Sequence, residues 1–134
     1  MTEQEHAAAL IGAFVRAERR ERYLALLASV RGRAKLRAAL AHFRDLEPRT
    51  ARPVPPTQQT PGAVAALLRA HGAPAECVVL AEDAALDGQR LSLEAALDAV
   101  VGRGMGAFVS CVAGRLAYYE GEEAGERYLL EHVG

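Results

Sequence analysis

The sequence predicts an α+β fold: an N-terminal helical hairpin, then a β-α-β-β unit with a small sheet and a C-terminal helix. Apolar residues recur at helical spacing before residue 47, whereas short β-branched runs flank one further helical pattern after residue 75. A proline-rich stretch lies between these two regions. The 134 residues fit a single domain, 1–134, divided into the helical hairpin (1–46), the Pro-rich connection (47–60) and the small α+β unit (61–134).

The N-terminal helices are predicted from their caps and their apolar stripes. Thr2 begins a capping-box sequence, and apolar residues keep helical spacing from Leu10 to Ala28. One long helix and two helices broken near residues 16–22 both fit this pattern. Gly32 is expected to end it, and a second helix follows over residues 36–43, with apolar residues on one face and cations on the other. The pair should form a hairpin with a cationic outer surface.

Prolines predict the connection and the start of the next helix. Five of the six prolines lie between residues 46 and 61, where we expect an extended chain running over the surface. Thr60 and Pro61 then form an N-cap and first-turn pair. This helix is expected to continue to Ala70 and to end at His71–Gly72.

The remaining elements are predicted from β-branched runs and one further cap. They are a strand over Glu76–Ala81, a helix after the Ser92 cap, a hairpin formed by Ala107–Ala113 and Arg115–Glu120, and a final helix over Glu122–His132. The loop after the first strand contains three acidic residues, Glu82, Asp83 and Asp87. Asp and Gly supply turn chemistry, so we interpret this loop as a turn without a ligand.

The hairpin register divides its residues between two faces. A turn at Ala113–Gly114 pairs Phe108 with Tyr119 and Ser110 with Ala117, and it also pairs Cys111 with Leu116. One face is apolar and is predicted to lie in the core: Val109, Cys111, Leu116 and Tyr118. The other face mixes aromatic, hydroxyl and guanidinium groups, so we expect it to be partly solvated. Its candidate ligand-contacting residues are Phe108, Ser110, Arg115 and Tyr119.

Charge is distributed unevenly along the chain. Between Arg16 and Arg52 there are eleven arginine and lysine residues against four acidic residues, although the whole chain has a net charge of −1. A basic helical segment joined to an acidic remainder indicates either an anionic partner or pairing between the two halves of the molecule. The candidate anion or partner contacts are Arg31, Arg33, Lys35, Arg37, Arg16, Arg19 and Arg20.

Membrane, metal and cofactor sites are not predicted. No apolar run approaches the roughly 18 residues of a membrane span, and the polar start MTEQEH is unlike a signal peptide, so we expect a cytoplasmic protein without a membrane partner. The four histidines are dispersed, which disfavours a metal site. Residues 102–106 (GRGMG) follow a helix, the reverse of a phosphate-binding loop. Cys77 and Cys111 are expected to be buried, reduced thiols.

Three functions from different classes remain open. We favour an interaction or regulatory protein that acts through protein-protein or self-association contacts, because an alanine-rich core is thin and a partner or dimer would supplement it. A nucleic-acid-binding module would instead use the arginine face to contact phosphates. A small-molecule enzyme is the third hypothesis and the least supported, since no catalytic motif is found and no catalytic residue can be named.

Overall fold

The computed structural model describes residues 1–133 and confirms the α+β class. Its helices are α1 (Glu3–Phe14), α2 (Arg20–Leu27), α3 (Val30–Ala39), α4 (Pro61–Ala70) and α5 (Leu93–Val100). Its strands are β1 (Ala51–Pro53), β2 (Glu76–Ala81), β3 (Arg90–Ser92), β4 (Ala107–Val112), β5 (Leu116–Glu120) and β6 (Arg127–Glu131). The strands form one antiparallel sheet in the order β1-β6-β5-β4-β2-β3.

Two hydrophobic cores lie on opposite faces of this sheet. Helices α4 and α5 cover one face, where Val109 and Tyr118 are fully buried. Helices α1, α2 and α3 cover the other face, over Leu80 and Phe108. Because both faces are covered, consecutive residues of β2 and β4 are buried, and these strands appear in the sequence as continuous apolar runs.

The first helical pattern forms two helices. The Thr2 hydroxyl accepts a hydrogen bond from the Glu5 amide, which confirms the capping box. Helix α1 ends at Phe14, and Val15 is extended and bridges Leu46 in the segment after α3. A short 3-10 turn then leads into α2. No helix-breaking residue lies at this point, so the pairing of Val15 with Leu46 supplies the break.

Gly32 was expected to end a helix, but it lies inside α3. The Ser29 side chain caps this helix by accepting a hydrogen bond from the Gly32 amide at 2.9 Å. A Cβ atom on Gly32 would lie 2.8 Å from Leu26 Cα, closer than real Cβ contacts. The glycine is therefore required by the close approach of α2 and α3.

The Pro-rich connection is only partly extended, whereas an extended chain was predicted. It holds two 3-10 turns, Pro48–Thr50 and Pro56–Gln58, and between them β1, which pairs with β6. Helix α4 begins at Pro61 with Thr60 as its N-cap and ends before His71, and β2 spans Glu76–Ala81. Strand β3 was not predicted and pairs with β2 beside the turn of residues 82–89.

The predicted C-terminal helix over Glu122–His132 is wrong, because residues 127–131 form β6 instead. Leu129 is buried on the α4–α5 face of the sheet, and Leu130 is buried on the α1–α3 face. Adjacent apolar residues on opposite faces remove the two-residue alternation that signals a strand. Val133, just after this strand, is 83% exposed.

The predicted hairpin register is confirmed over most of its length. Phe108 pairs with Tyr119 and Ser110 pairs with Ala117, as expected. The ladder shifts between Ser110 and Val112, so Val112 rather than Cys111 lies opposite Leu116. Gly114 supplies the positive φ of the turn, at 70°.

Candidate functional site

Two of the four cations of α3 bind an acidic residue of the same chain. Arg33 donates to Asp87 through Nε at 3.0 Å and Nη2 at 3.4 Å, and Arg37 Nη1 lies 4.0 Å from the same carboxylate. Asp87 Oδ1 also accepts a hydrogen bond from the Ala81 amide at 3.0 Å. Asp87 therefore connects α3 to the end of β2, whereas from the sequence it was predicted only as a turn residue.

The candidate contacts Arg16, Arg19 and Arg20 stabilise the break between α1 and α2. Arg16 Nε donates to the Leu46 carbonyl at 3.3 Å, and Arg20 Nε donates to the Val15 carbonyl at 2.8 Å. Arg19 Nε lies 3.8 Å from Asp45. These three arginines interact with polar groups at the point where the chain leaves α1, so they stabilise the break between α1 and α2.

Arg31 and Lys35 differ from their neighbours, because both are exposed and neither forms a salt bridge within residues 1–133. They lie four residues apart on the solvent side of α3, together with further exposed residues. We call this set the outer face of α3: Val30, Arg31, Ala34, Lys35 and Ala38. Val30 is an aliphatic residue of this face and is 90% exposed.

An open depression of about 500 Å³ adjoins the outer face of α3. Val30 lies on its rim, and its walls are formed mainly by Gln4, Leu27, Arg33 and Arg37. Arg33 Nη1 donates to Gln4 Oε1 at 2.9 Å, so its guanidinium is bound by Gln4 and Asp87. The charged groups in this depression are already partnered, whereas those of the outer face are not.

The predicted ligand face of the hairpin is buried rather than partly solvated, so this expectation is wrong for Phe108, Ser110 and Tyr119. Helices α1 to α3 cover these side chains, which are at most 3% exposed. The Tyr119 hydroxyl donates to the Leu40 carbonyl at 2.6 Å and accepts from the Phe43 amide at 3.1 Å. The phenol therefore fixes the segment after α3 on the sheet.

Ser110 is hydrogen-bonded to His6 across the core between α1 and β4. The Oγ and Nδ1 atoms are 2.7 Å apart, and both side chains are buried. Burial lowers the pKa of His6, and the nearby Arg90 guanidinium lowers it further. A neutral imidazole can share a hydrogen bond with a hydroxyl. The pair satisfies two polar groups inside the protein, and among residues 1–133 no third group orients it for nucleophilic chemistry.

A second buried polar cluster surrounds Glu120, which is fully buried at the end of β5. Its carboxylate accepts hydrogen bonds from the Tyr118 hydroxyl at 2.7 Å and from the Gly102 amide at 2.9 Å. Arg127 Nε lies 3.5 Å away. Burial raises the pKa of Tyr118, and the Glu120 carboxylate raises it further, so the phenol remains a donor. The glycine-rich loop thus binds an internal carboxylate with its first amide.

Arg115, the remaining residue of the predicted ligand face, is exposed at the β4–β5 turn and lines a pocket of about 270 Å³. His71, Glu131 and His132 line the same pocket. His71 Nδ1 lies 3.2 Å from both carboxylate oxygens of Glu131. This grouping was not predicted from the sequence, because Glu131 reaches His71 only when residues 127–131 form a strand beside β5.

Metal and membrane features are absent from the part of the chain that the structure describes. Residues 1–133 contain no group of three or more His, Cys, Asp or Glu side chains placed to hold a metal ion. Within the same range, none of the helices has the length and apolar character needed to cross a membrane. Cys77 and Cys111 are free and buried.

Comparisons with known proteins add no assignment. No protein-family model matches the sequence, and neither a curated protein nor a solved structure matches the chain. The site residues described above are therefore interpreted from their own geometry.

Proposed function

We propose that this chain is an interaction protein whose outer face of α3 binds an acidic helix of a partner protein. The observation that carries the proposal is Val30, which is 90% exposed beside two cations that have no salt-bridge partner within residues 1–133. Association would remove this aliphatic side chain from water, and the two cations would gain carboxylate partners.

The composition of the outer face of α3 supports a helix as the occupant. Ala34 and Ala38 lie one turn apart and are both exposed, so their short side chains permit a second helix to approach closely. Arg31 and Lys35 lie along one side of this line and would pair with carboxylates of the partner. Complementary charge of this kind increases the association rate and selects against basic partners.

The pairing of the other cations disfavours nucleic acid as the occupant. Phosphate binding draws on several accessible cations of one surface, whereas Arg33 and Arg37 are held by Asp87. The two aromatic residues of the basic region, Tyr23 and Phe43, are buried and would not stack on bases. A protein partner needs fewer charges and uses the exposed Val30.

The proposal is tested by binding to an amphipathic peptide that carries glutamate and leucine at helical spacing. A mixed-sequence DNA duplex and a single-stranded RNA serve as competing probes. We expect the peptide to bind wild-type protein, and we expect Val30→Glu and the double variant R31E/K35E each to weaken binding about tenfold or more. Nucleic acid should not bind at physiological salt.

Two matched controls distinguish the outer face of α3 from a general charge effect. Ala66→Glu adds a carboxylate at an exposed position of α4, and R49E/R115E reverses two exposed cations elsewhere. Both should retain peptide binding. Equal weakening by the control pair, or tighter binding of DNA or RNA than of peptide, would contradict the proposal. A wild-type dimer that becomes monomeric on Val30→Glu would assign the face to a second copy instead.

A further inference from the structure

We infer that the pocket lined by His71, Arg115, Glu131 and His132 is a binding site for a small ligand that carries a phosphoryl group. The pocket lies where the end of α4, the β4–β5 turn and the end of β6 meet. It is separate from the outer face of α3, and the inference does not rest on the proposed function. Three chain segments thus bring two imidazoles and one guanidinium to a single concave surface.

His71 is held in one orientation by Glu131. The carboxylate can only accept hydrogen bonds, so Nδ1 of the imidazole carries the proton and donates across the 3.2 Å contacts. Arg52 Nη2 donates to the same carboxylate at 2.7 Å, which fixes Glu131 in turn. An imidazole that is positioned in this way presents Nε2 on its opposite edge, and protonation makes Nε2 a second donor.

Arg115 supplies the permanent positive charge of the pocket. It is exposed and forms no salt bridge with any residue in 1–133. Its carbonyl accepts a hydrogen bond from the His132 amide at 3.0 Å, which holds the second imidazole beside the hairpin. The planar fork of an arginine donates two parallel hydrogen bonds to a phosphoryl group, a geometry that suits a tetrahedral dianion.

The charges around the pocket favour an anion. Arg52 offsets Glu131 through their ion pair, so Arg115 leaves the pocket with a net positive charge. These are the charged groups that contact or share the pocket with His71, from β1, the β4–β5 turn and the segment of β6.

The size and walls of the pocket limit the ligand. Its volume of about 270 Å³ is at the lower end of ligand-binding cavities, so the ligand has only a few carbon atoms beyond the phosphoryl group. Val112, Leu116 and Val133 form the apolar part of the lining. Phenyl phosphate, which combines a small apolar group with a dianion, is a suitable probe.

The experiment is a calorimetric titration of the full chain with phenyl phosphate at about pH 7, above the second phosphate pKa of about 6, so that the probe is mainly a dianion. We expect saturable binding. Arg115→Gln and His71→Gln should each weaken binding about tenfold, with unchanged thermal melting. Arg22→Gln removes an exposed cation of α2 and should bind as wild type does.

Three results would overturn the inference. One is no saturable binding with millimolar phenyl phosphate. Another is the same dissociation constant for Arg115→Gln and wild type, which would place the anion elsewhere. The third is equal binding of benzoate, which would show that the pocket accepts any small anion rather than a phosphoryl group. The outer face of α3 takes no part in this titration, so its outcome is independent of the peptide experiment.

Discussion

Gly32 of α3 packs directly on the backbone of Leu26 in α2, where a Cβ atom would lie 2.8 Å from Leu26 Cα and 2.9 Å from its carbonyl carbon. The contact brings the two short helices together without a side chain between them. It also sets the angle at which α3 presents Val30, Arg31 and Lys35 to solvent. Because glycine has no side chain, Gly32 allows the helix packing that orients the surface we propose for partner binding.

Gly32→Ala is expected to destabilise the protein by about 1 to 3 kcal/mol, because the added methyl group collides with backbone that cannot move aside. The matched control is Gly12→Ala on the exposed side of α1, where an added Cβ would meet nothing within 4 Å. That variant should gain about 0.5 to 1 kcal/mol from helix propensity. Urea denaturation measures both, and equal stability of the two variants would contradict the packing.

Local signals predicted the elements whose boundaries depend on local chemistry. Thr60 and Pro61 begin α4 as expected, because an N-cap hydroxyl and a proline act on their own turn. Gly32 and β6 were mispredicted because their conformations depend on contacts with distant parts of the chain. The role of Gly32 comes from Leu26 of another helix, and Leu129 and Leu130 fit a strand only because helices cover both faces of the sheet.

The site residues divide in a similar way. The charge asymmetry indicated either internal pairing or an external partner for the cations of α3. Arg33 pairs with Asp87, which lies in a distant loop that only the fold brings to it. The hairpin register predicts Arg115 as a ligand contact, yet its neighbour in the pocket, His71, comes from the end of α4. No sequence spacing relates the two, so their meeting could not be predicted.

The buried pair of His6 and Ser110 predicts a loss of stability at mildly acidic pH. Burial holds the pKa of His6 below its ordinary value of 6.5, so the unfolded chain binds a proton more readily than the folded chain. The contribution of neutral His6 to the free energy of unfolding is complete above pH 6.5. It is lost as pH falls from there through the lowered pKa of His6 in the folded protein. In urea titrations between pH 7.5 and pH 5, His6→Gln should lose less stability than wild type; parallel losses would contradict this.

Ser110→Ala tests the same hydrogen bond at neutral pH. Removing the hydroxyl leaves the buried Nδ1 of His6 without its partner at 2.7 Å, which should cost about 1 to 3 kcal/mol. Val109→Ala, on the opposite face of the same strand, should also destabilise the protein but should leave its pH dependence as in wild type. A Ser110→Ala variant as stable as wild type would show that the hydrogen bond contributes nothing.

Glu120→Gln should destabilise the protein by about 3 kcal/mol or more, because Arg127 keeps its charge in a nearly buried position and loses its only acidic partner among the described residues. Tyr118→Phe is the control, since it removes one hydrogen bond and leaves the ion pair in place. Its cost should be about 1 to 2 kcal/mol. Thermal melts rank the two variants, and the reverse order would contradict the role of the carboxylate.

The two thiols should be unreactive while the protein is folded. Burial raises the pKa of Cys77 to about 11 and that of Cys111 to about 12, so neither forms much thiolate near neutral pH. Ellman's reagent at about pH 8 should label neither thiol in native protein and both in denaturant. Rapid labelling of the native protein would contradict the burial of these side chains.

Strand β6 lies between β1 and β5, although it follows both along the chain. Residues 51–53 therefore have no strand to pair with until residues 127–131 are in place. Without β6, β5 is an open edge with unsatisfied amides and carbonyls, available to any neighbouring polypeptide. Chains that lack residues 127–131 should therefore aggregate more readily than the full chain.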